Sequence, residues 1–285
     1  MPTAPREIQP RLLTFNFHEP YLCLMAKTGL RFDVGVYEEG GLARPWLEHY
    51  RAVPDNLTLL GEAEWRERLQ AGHYDVVIAH NEMNAADVVQ APAARLLVCH
   101  NRRDFIDTTA SIQADTDPVV AFGRLIDRLA GCFEFVYISE SKRDSYGVPG
   151  RVILPGIDVA EFGGYRGETP AVLRVGNMMR RRNLMFDVGF QEAVCRGLPS
   201  RVIGSDPDIP GAAPAPSYAA LLEGYRAHRC MLHVTRQEYE DGYNLALLEA
   251  MACGMPIVSL ANATSPLTDG VEGFLSFSAP VLHER

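Results

Sequence analysis

Paired cysteines, long apolar runs and surplus positive charge are all missing from this chain, and each absence removes a class of protein. The six cysteines (Cys23, Cys99, Cys132, Cys195, Cys230 and Cys253) include no C-x-x-C pair and have no histidine at metal-ligand spacing. Several lie in apolar runs, Cys99 in RLLVC and Cys253 in LLEAMAC, so buried, reduced thiols are expected. No apolar run approaches the ~20 residues of a membrane span, and the opening MPTAPREIQP has no signal-peptide core. Two glycosylation sequons, Asn56-Leu57-Thr58 and Asn262-Ala263-Thr264, would matter only after secretion, and a cytoplasmic home is expected. Lys plus Arg number 27 against 36 Asp plus Glu, a net charge of −9. That balance lacks the footprint of a duplex-DNA binder, so no nucleic-acid partner is expected. No G-x-G-x-x-G follows an early strand, which disfavours a Rossmann dehydrogenase.

What is present is the pattern of a layered α/β protein. At 285 residues and 47% hydrophobic composition the chain is globular and long enough for two domains of about 120–160 residues each. Short apolar runs read as strands at Leu12–Phe17, Phe32–Tyr37, Leu57–Leu60, Asp75–His80, Leu96–His100, Phe135–Ser139 and Arg151–Leu154. Helical patterns fall between them, clearest in AEWRERLQ and in PVVAFGRLIDRLAG with its early Pro118 and closing Gly131. The Gly- and Pro-rich stretch from Leu154 to Pro170 reads as a linker. The alternation then restarts: AVLRVG, a helix from about Leu184 to Arg196, RVIG, SYAALLEGYRAH, CMLHV, NLALLEAMAC, PIVSL and GFLSF. The reading is two doubly wound units: an N-terminal domain at 1–158, a linker at 159–170 and a C-terminal domain at 171–285. Ligands of such sheets bind beyond the carboxyl ends of the strands.

The densest local signal is DGYNLALLEAMACGMPIVSL, Asp241 to Leu260. Its helix is expected to start at Asn244, a good N-cap, and to stop at Gly254 ahead of Pro256. Leu245, Leu248 and Ala252 share one face, which is expected to pack on the sheet, with Glu249 at the edge of that stripe. A carboxylate there needs a partner. Gly242 lets backbone approach closely, and the first helical N–H groups with the positive end of the helix dipole suit an anion such as a diphosphate. Glu249 lies about 7.5 Å along the helix axis from the cap, within reach of sugar hydroxyls beside such an anion, while Asp241 flanks the tip. The alternative is a capped core helix whose Glu249 pairs with a nearby arginine.

This segment resembles the nucleotide-sugar-binding segment of GT-B glycosyltransferases, especially the retaining family 4: an acid, seven residues, Glu, then AMA-x-G-x-P and an apolar run. Two further blocks agree. YISESKRDSYGV with VILPGIDVAEF resembles the family's inter-domain stretch, and DGVEGFL (Asp269–Leu275) resembles the segment after the donor helix. The three blocks span Tyr137 to Leu275. The resemblance implies a GT-B fold, two Rossmann-like domains facing each other across a cleft. It implies a retaining, metal-independent transfer of a sugar from a nucleoside-diphosphate donor, UDP or GDP, to an unidentified acceptor: a glycan, a lipid-linked molecule or a small molecule. Front-face attack is implied, with the leaving phosphate helping to deprotonate the acceptor hydroxyl. A nucleotide-sugar epimerase or hydrolase on the same fold, or a non-catalytic nucleotide-sugar binder, are the alternatives. No cofactor is implied beyond the donor substrate, and peripheral membrane contact and oligomerisation stay open.

Residue by residue, the resemblance places Asp241, where Glu is usual, near the transferred sugar. Glu249 would hold the ribose, and the backbone of Gly242, Tyr243, Asn244 and Leu245 the phosphates. After the first strand of the second domain the family carries Gly-Arg and then Lys. Here the run is VGNMMRRRN: Gly176 matches, Asn177 stands where Arg is usual, and Arg182 falls at the Lys position, with Arg180 and Arg181 beside it. His100, ending a strand in LLVCHNRRDF, matches the family's cleft histidine, with His18 and His80 as alternatives; Arg102 and Arg103 could meet an acidic acceptor. The Gly-Gly loop of the family is replaced after the first strand by NFHEPYL, and Gly40-Gly41 reads as an ordinary turn. Asp115-Thr116-Asp117 and Asp206-Pro207-Asp208 spell Asp-x-Asp, but charge on the leaving group is expected to be met by the helix tip and arginines, with no metal. Relatives usually continue past GFL with further helices, whereas this chain ends ten residues after Leu275, so a short or truncated C-terminal domain is expected.

Overall fold

A computed structural model describes residues 9–38, 45–48, 51–113 and 118–285; Gly40, Gly41, Asp115 and Asp117 lie outside the described residues. The chain divides into two compact units. The first takes the chain up to His100 together with Ala121–Tyr137 and Val148–Arg151; the second takes Asn101–Val120, Ile138–Gly147 and Val152–Arg285.

The first unit is built on a seven-stranded sheet of β1 (Leu12–Phe15), β2 (Phe32–Gly35), β3 (Leu57–Leu60), β4 (Val76–Ala79), β5 (Ala94–Cys99), β6 (Glu134–Tyr137) and β7 (Gly150–Val152), in the order β3-β2-β1-β4-β5-β6-β7. Strands β1 to β6 pair in parallel. Parallel pairing demands crossovers, supplied by α1 (Glu19–Ala26), α2 (Glu62–Gln70), α3 (Glu82–Val88) and α5 (Pro118–Ala130). Leu22 and Ala26 of α1 pack with Leu12, Phe32, Val34 and Leu57. Phe15 meets Trp65 edge to face at 5.2 Å. A Cβ at Gly35 would come within 3.1 Å of both rings, so glycine there lets β2 pass under them. Strand order reverses between β1 and β4, which makes the crevice past their carboxyl ends the ligand position for this sheet.

The second unit holds α4 (Arg103–Gln113), α6 (Glu140–Tyr146) and a five-stranded parallel sheet of β8 (Thr169–Val175), β9 (Ser200–Ile203), β10 (His228–His233), β11 (Ile257–Leu260) and β12 (Gly273–Ser276), ordered β12-β11-β10-β8-β9. Its switch point lies between β8 and β10. One face packs Leu173, Met231 and Ile257 with Tyr225 of α9 (Tyr218–Ala227) and Leu247 and Ala250 of α10 (Leu245–Cys253). The other face packs Leu232, Val258 and Leu260 with Val194 of α8 (Val188–Val194) and Leu282 of α11 (Ala279–His283). Each such apolar side chain, fully buried, contributes roughly 1.5–3 kcal/mol.

Several sequence expectations need correction. The single helix from 184 to 196 is two, α7 (Asn183–Phe186) and α8, because Asp187 turns left-handed at φ 40° and its side chain caps α8 at the N–H of Phe190. Aspartate tolerates that conformation and is a good cap, so both facts have one cause. In α10 the fully buried positions are Leu247, Glu249, Ala250 and Cys253, while Leu245, Leu248 and Ala252 are only partly buried. A helix apolar nearly all round gives periodicity no phase to report. All six cysteines are free, yet Cys132 is exposed, just past α5. Residues between β7 and β8 group with the second unit: Phe162 lies in its core, and Arg226 and Arg229 donate to the carbonyls of Gly163 and Gly167. Both sequon asparagines are internal hydrogen-bond donors, Asn56 to the carbonyls of Ala26 and Leu30, and Asn262 to Thr235 and to the carbonyl of Glu240. Among the described residues no helix is long and apolar enough to cross a membrane.

Candidate functional site

In the second unit, chain leaving β10 and β8 meets at the switch point. After β10, Glu240 and Asp241 are both buried, against Lys142 of α6, which is buried too. Lys142 Nζ donates to Glu240 Oε1 and to Asp241 Oδ1, each at 2.6 Å. Ser139 Oγ donates to the other oxygen of Asp241 in a short contact, and also accepts from Lys142 N as the N-cap of α6. Burial opposes the charge on Lys142, but Glu240 and Asp241 outweigh it and hold its pKa above the ordinary value. Burial also raises the pKa of Glu240. It works the same way on Asp241, where hydrogen bonds from Glu240, Lys142 and Ser139 prevail and bring the pKa to about 2. Asp241 Oδ1 further accepts from Tyr243 N. With no exposed surface, Asp241 faces Lys142 and Ser139 in this conformation, not a ligand. Lys142, Ser139 and Glu240 had no role in the sequence reading. The signal was there, since two adjacent acids entering a core require a buried cation.

This anchor fixes the turn that opens α10. Gly242 sits at φ 85°, with His233 and Ser265 each 3.3 Å from where a Cβ would be. Asn244 caps the helix, its Oδ1 accepting from Leu247 N at 2.9 Å. Among the described residues, the Leu245 and Ala246 N–H groups have no acceptor, so they form the donor pair at the tip. Asn244 Nδ2 donates to His233 Nε2 at 2.9 Å, His233 Nδ1 meets Ser259 Oγ at 3.3 Å, and Ser259 donates to the Leu260 carbonyl. Burial lowers the His233 pKa to about 4, so the ring is neutral and orients the cap. Glu249 lies inside the helix, 4% exposed, and accepts at Oε2 from Tyr225 of α9 at 3.0 Å. Tyr225 is thus one partner of this carboxylate.

After β8, Gly176 and Asn177 lead into the arginine run. A Cβ at Gly204 would lie 1.9 Å from the Gly176 carbonyl oxygen, so glycine is obligatory where the loops after β8 and β9 cross. Asp206 accepts from the backbone N–H of Arg180 at 2.9 Å and of Asp208 at 3.2 Å, so its carboxylate braces these loops. Among the described residues no group of three potential metal ligands occurs. The three arginines separate. Arg180 is exposed and paired with Glu192, and Arg181 is exposed. Arg182 is partly buried, stacks its guanidinium 4.9 Å from the Phe186 ring, and has no carboxylate partner among the described residues. Burial lowers its pKa, with the Glu240 charge opposing. Arg102 and Arg103 are held by Asp104 with Ser141, and by Asp107.

In the first unit, residues just past β1, β4 and β5 cluster at the switch point. His80 is buried, its Nε2 2.8 Å from Thr14 Oγ1 and its Nδ1 3.0 Å from His100 Nε2. Phe17 stacks on His80, and Tyr21 meets His100 edge to face at 4.6 Å. Burial, with the charge of His18, lowers the His80 pKa to about 3. His18 is exposed, while His80 and His100 are hydrogen-bonded to each other.

No protein-family profile matches the chain, and no curated protein matches it by sequence. Solved structures do match by shape. HepE of Anabaena, crystallised with UDP and glucose, superposes with TM-score 0.68 over 97% of this chain and 89% of its own, at 14% identity. The fold is GT-B. HepE with UDP-glucose superposes at TM-score 0.65 over the same shares of both chains and at the same identity. The lipopolysaccharide outer core galactosyltransferase WaaB, in its apo form, matches with TM-score 0.55 over 96% of this chain and 88% of its own, at 12% identity. The GT-B architecture expected from the sequence is therefore present, with two parallel Rossmann-like sheets of seven and five strands.

Proposed function

We propose that this GT-B chain is a retaining glycosyltransferase that moves a sugar from a nucleoside diphosphate, UDP or GDP, to an acceptor hydroxyl without a metal. The observation that carries this reading is the tip of α10. A buried ion cluster and a left-handed glycine aim the Leu245 and Ala246 N–H groups at the switch point, where Arg182 also lies partly buried and, among the described residues, outside any ion pair. Helix N–H groups and a guanidinium are the donors a diphosphate requires, and they offset the charge that develops as the nucleotide leaves. Structures of similar shape are bound to UDP and UDP-glucose, which supports the same reading.

In this mechanism Glu249, steadied by Tyr225, accepts from the ribose hydroxyls, and the N–H groups of Leu245 and Ala246 receive the phosphates, since those of Tyr243 and Asn244 donate to Asp241 and to the Gly242 carbonyl. Asp241 acts as a positioning residue for that turn. His100 meets the acceptor side of the reaction, and the leaving phosphate takes the proton from the attacking hydroxyl.

Calorimetric titration with UDP and GDP tests the site, with Glu249→Ala expected to lose tenfold or more in affinity, the loss of a charge-assisted hydrogen bond. Unchanged affinity in the variant removes the ribose role. Turnover of donor sugars in the presence of EDTA, with NMR of the product anomer, tests the rest. An inverted anomer or turnover abolished by chelation overturns the retaining, metal-free mechanism.

A further inference from the structure

The contacts beneath the tip of α10 fix more than the neutrality of His233. Four hydrogen bonds run in series: Leu247 N to Asn244 Oδ1 at 2.9 Å, Asn244 Nδ2 to His233 Nε2 at 2.9 Å, His233 Nδ1 to Ser259 Oγ at 3.3 Å, and Ser259 Oγ to the Leu260 carbonyl at 3.0 Å. Each end of the series has a single role. The Leu247 N–H donates, so the atom of the Asn244 amide that faces it is the oxygen, and the NH2 group faces the ring. The Leu260 carbonyl accepts, so it takes the Ser259 proton and leaves Oγ as an acceptor. His233 therefore accepts at Nε2 and carries its proton on Nδ1. Both His233 and Ser259 are buried, and burial keeps the ring in the neutral state in which Nε2 has a lone pair.

An N-cap side chain has two usual targets, the N–H of the second or of the third helical residue. In α10 these are Ala246 and Leu247, and Asn244 serves Leu247. We propose that His233 is a positioning residue for anion binding: by holding the Asn244 NH2 group it confines the capping oxygen to Leu247 and keeps the Ala246 N–H open for a ligand. Without that hold the amide is free to swing over Ala246, and the helix then satisfies with its own cap one of the two donors that an anion needs. Leu245 and Ala246 are both partly exposed, and among the described residues neither N–H meets an acceptor, so the pair stands open at the tip. The inference rests on the glycosyltransferase reading only in identifying the anion as the diphosphate of a nucleotide sugar.

Long-range proton–nitrogen NMR on protein labelled with 15N-histidine reads the tautomer, with His233 assigned by the loss of its signals in His233→Gln. Nδ1 is expected to be protonated and Nε2 unprotonated. Backbone amide exchange reads the cap. In the unmodified protein Ala246 is expected to exchange about tenfold faster than Leu247, the difference one capping hydrogen bond makes. In His233→Leu, Ala246 is expected to slow and Leu247 to quicken, a local exchange of roles that general destabilisation does not produce. Calorimetric titration with inorganic pyrophosphate is expected to lose about tenfold in affinity in His233→Leu and to recover to within about threefold in His233→Gln, whose amide oxygen accepts from Asn244 while its nitrogen donates to Ser259. A proton on Nε2 of His233, Ala246 as slow as Leu247 in the unmodified protein, or unchanged exchange or pyrophosphate affinity in His233→Leu overturns the proposal, as does an unmodified protein that binds no pyrophosphate. If His233→Leu does not fold, the tautomer and exchange of the unmodified protein and the affinity of the Gln variant decide it. Binding of pyrophosphate without binding of UDP or GDP counts against the glycosyltransferase reading and leaves the role of His233 standing.

Discussion

Replacing Lys142 by Met removes the one cation from a buried cluster that contains two carboxylates. Lys142 and Asp241 have essentially no exposure and Glu240 has 5%, so neither acid can recover its hydration when the ammonium goes. Removing one partner of a buried ion pair typically costs about 3–5 kcal/mol, mostly through the charge left behind. The charge on Asp241 is left without its cation, so a loss within that range is expected, lowering the melting temperature by on the order of 10 °C. The three members should not be equivalent. Burial already disfavours the charged form of Glu240, so Glu240→Gln is expected to cost about 1 kcal/mol or less. Asp241, whose pKa is held at about 2, should cost about 2 kcal/mol on replacement by Asn. Both tryptophans, Trp46 and Trp65, lie in the first unit, so their fluorescence does not report on this cluster. The assay is urea denaturation followed by far-ultraviolet circular dichroism, with hydrogen exchange of residues 139–147 and 241–253. Loss of protection in both segments together is expected in Lys142→Met. If Glu240→Gln proves as damaging as Lys142→Met, or if the two segments exchange independently, the cluster does not anchor the α10 turn.

Among the arginines, Arg182→Ala is expected to weaken UDP or GDP binding tenfold or more, whereas Arg180→Ala and Arg181→Ala change it less than threefold; calorimetry on the three variants decides, and equal losses would show a diffuse positive patch instead. His233 has a folded pKa of about 4, below its ordinary 6.5. The unfolded chain therefore binds the extra proton first, and the stabilisation present above pH 6.5 is lost as pH falls toward 4. The depressed pKa implies about 3 kcal/mol from this residue. Denaturant midpoints measured from pH 7 to 4 should fall less steeply in His233→Gln, and parallel curves would refute the assignment.

Much of the architecture was legible because parallel sheets announce themselves: every strand was placed to within about three residues, and the five of the second unit were counted correctly. Helix α10 was legible at its ends, since Asn244 and Gly254 are chemical signals, but not in its rotation. With Leu, Ala and Met on all sides, nothing in the pattern separates Leu247 from Leu248, and only packing chooses. The helix break at Asp187 was hidden because a positive φ in a non-glycine residue leaves no mark on the sequence. Lys142, His233 and Tyr225 were missed for another reason. Each acts through a residue far away in the chain, and their partners come together only when β10 and α10 assemble. His80 and His100 were both flagged as strand-end histidines; what the sequence could not supply was that one stands behind the other.

The crossing of Gly204 over Gly176 has a consequence for how this protein can change. Backbone touches backbone there, and Met178 N to Ser205 O, Ser205 N to Asn177 Oδ1 and Arg180 N to Asp206 Oδ2 rivet the two loops on either side of it. Neither loop can be remodelled alone: an insertion or a bulkier residue in the 204–208 segment is transmitted to the stretch ending in Arg182. The seam reaches further along the chain, since Gly204 N donates to the Ala213 carbonyl, and a lesion at Asp206 is expected to displace the Arg180 backbone with it.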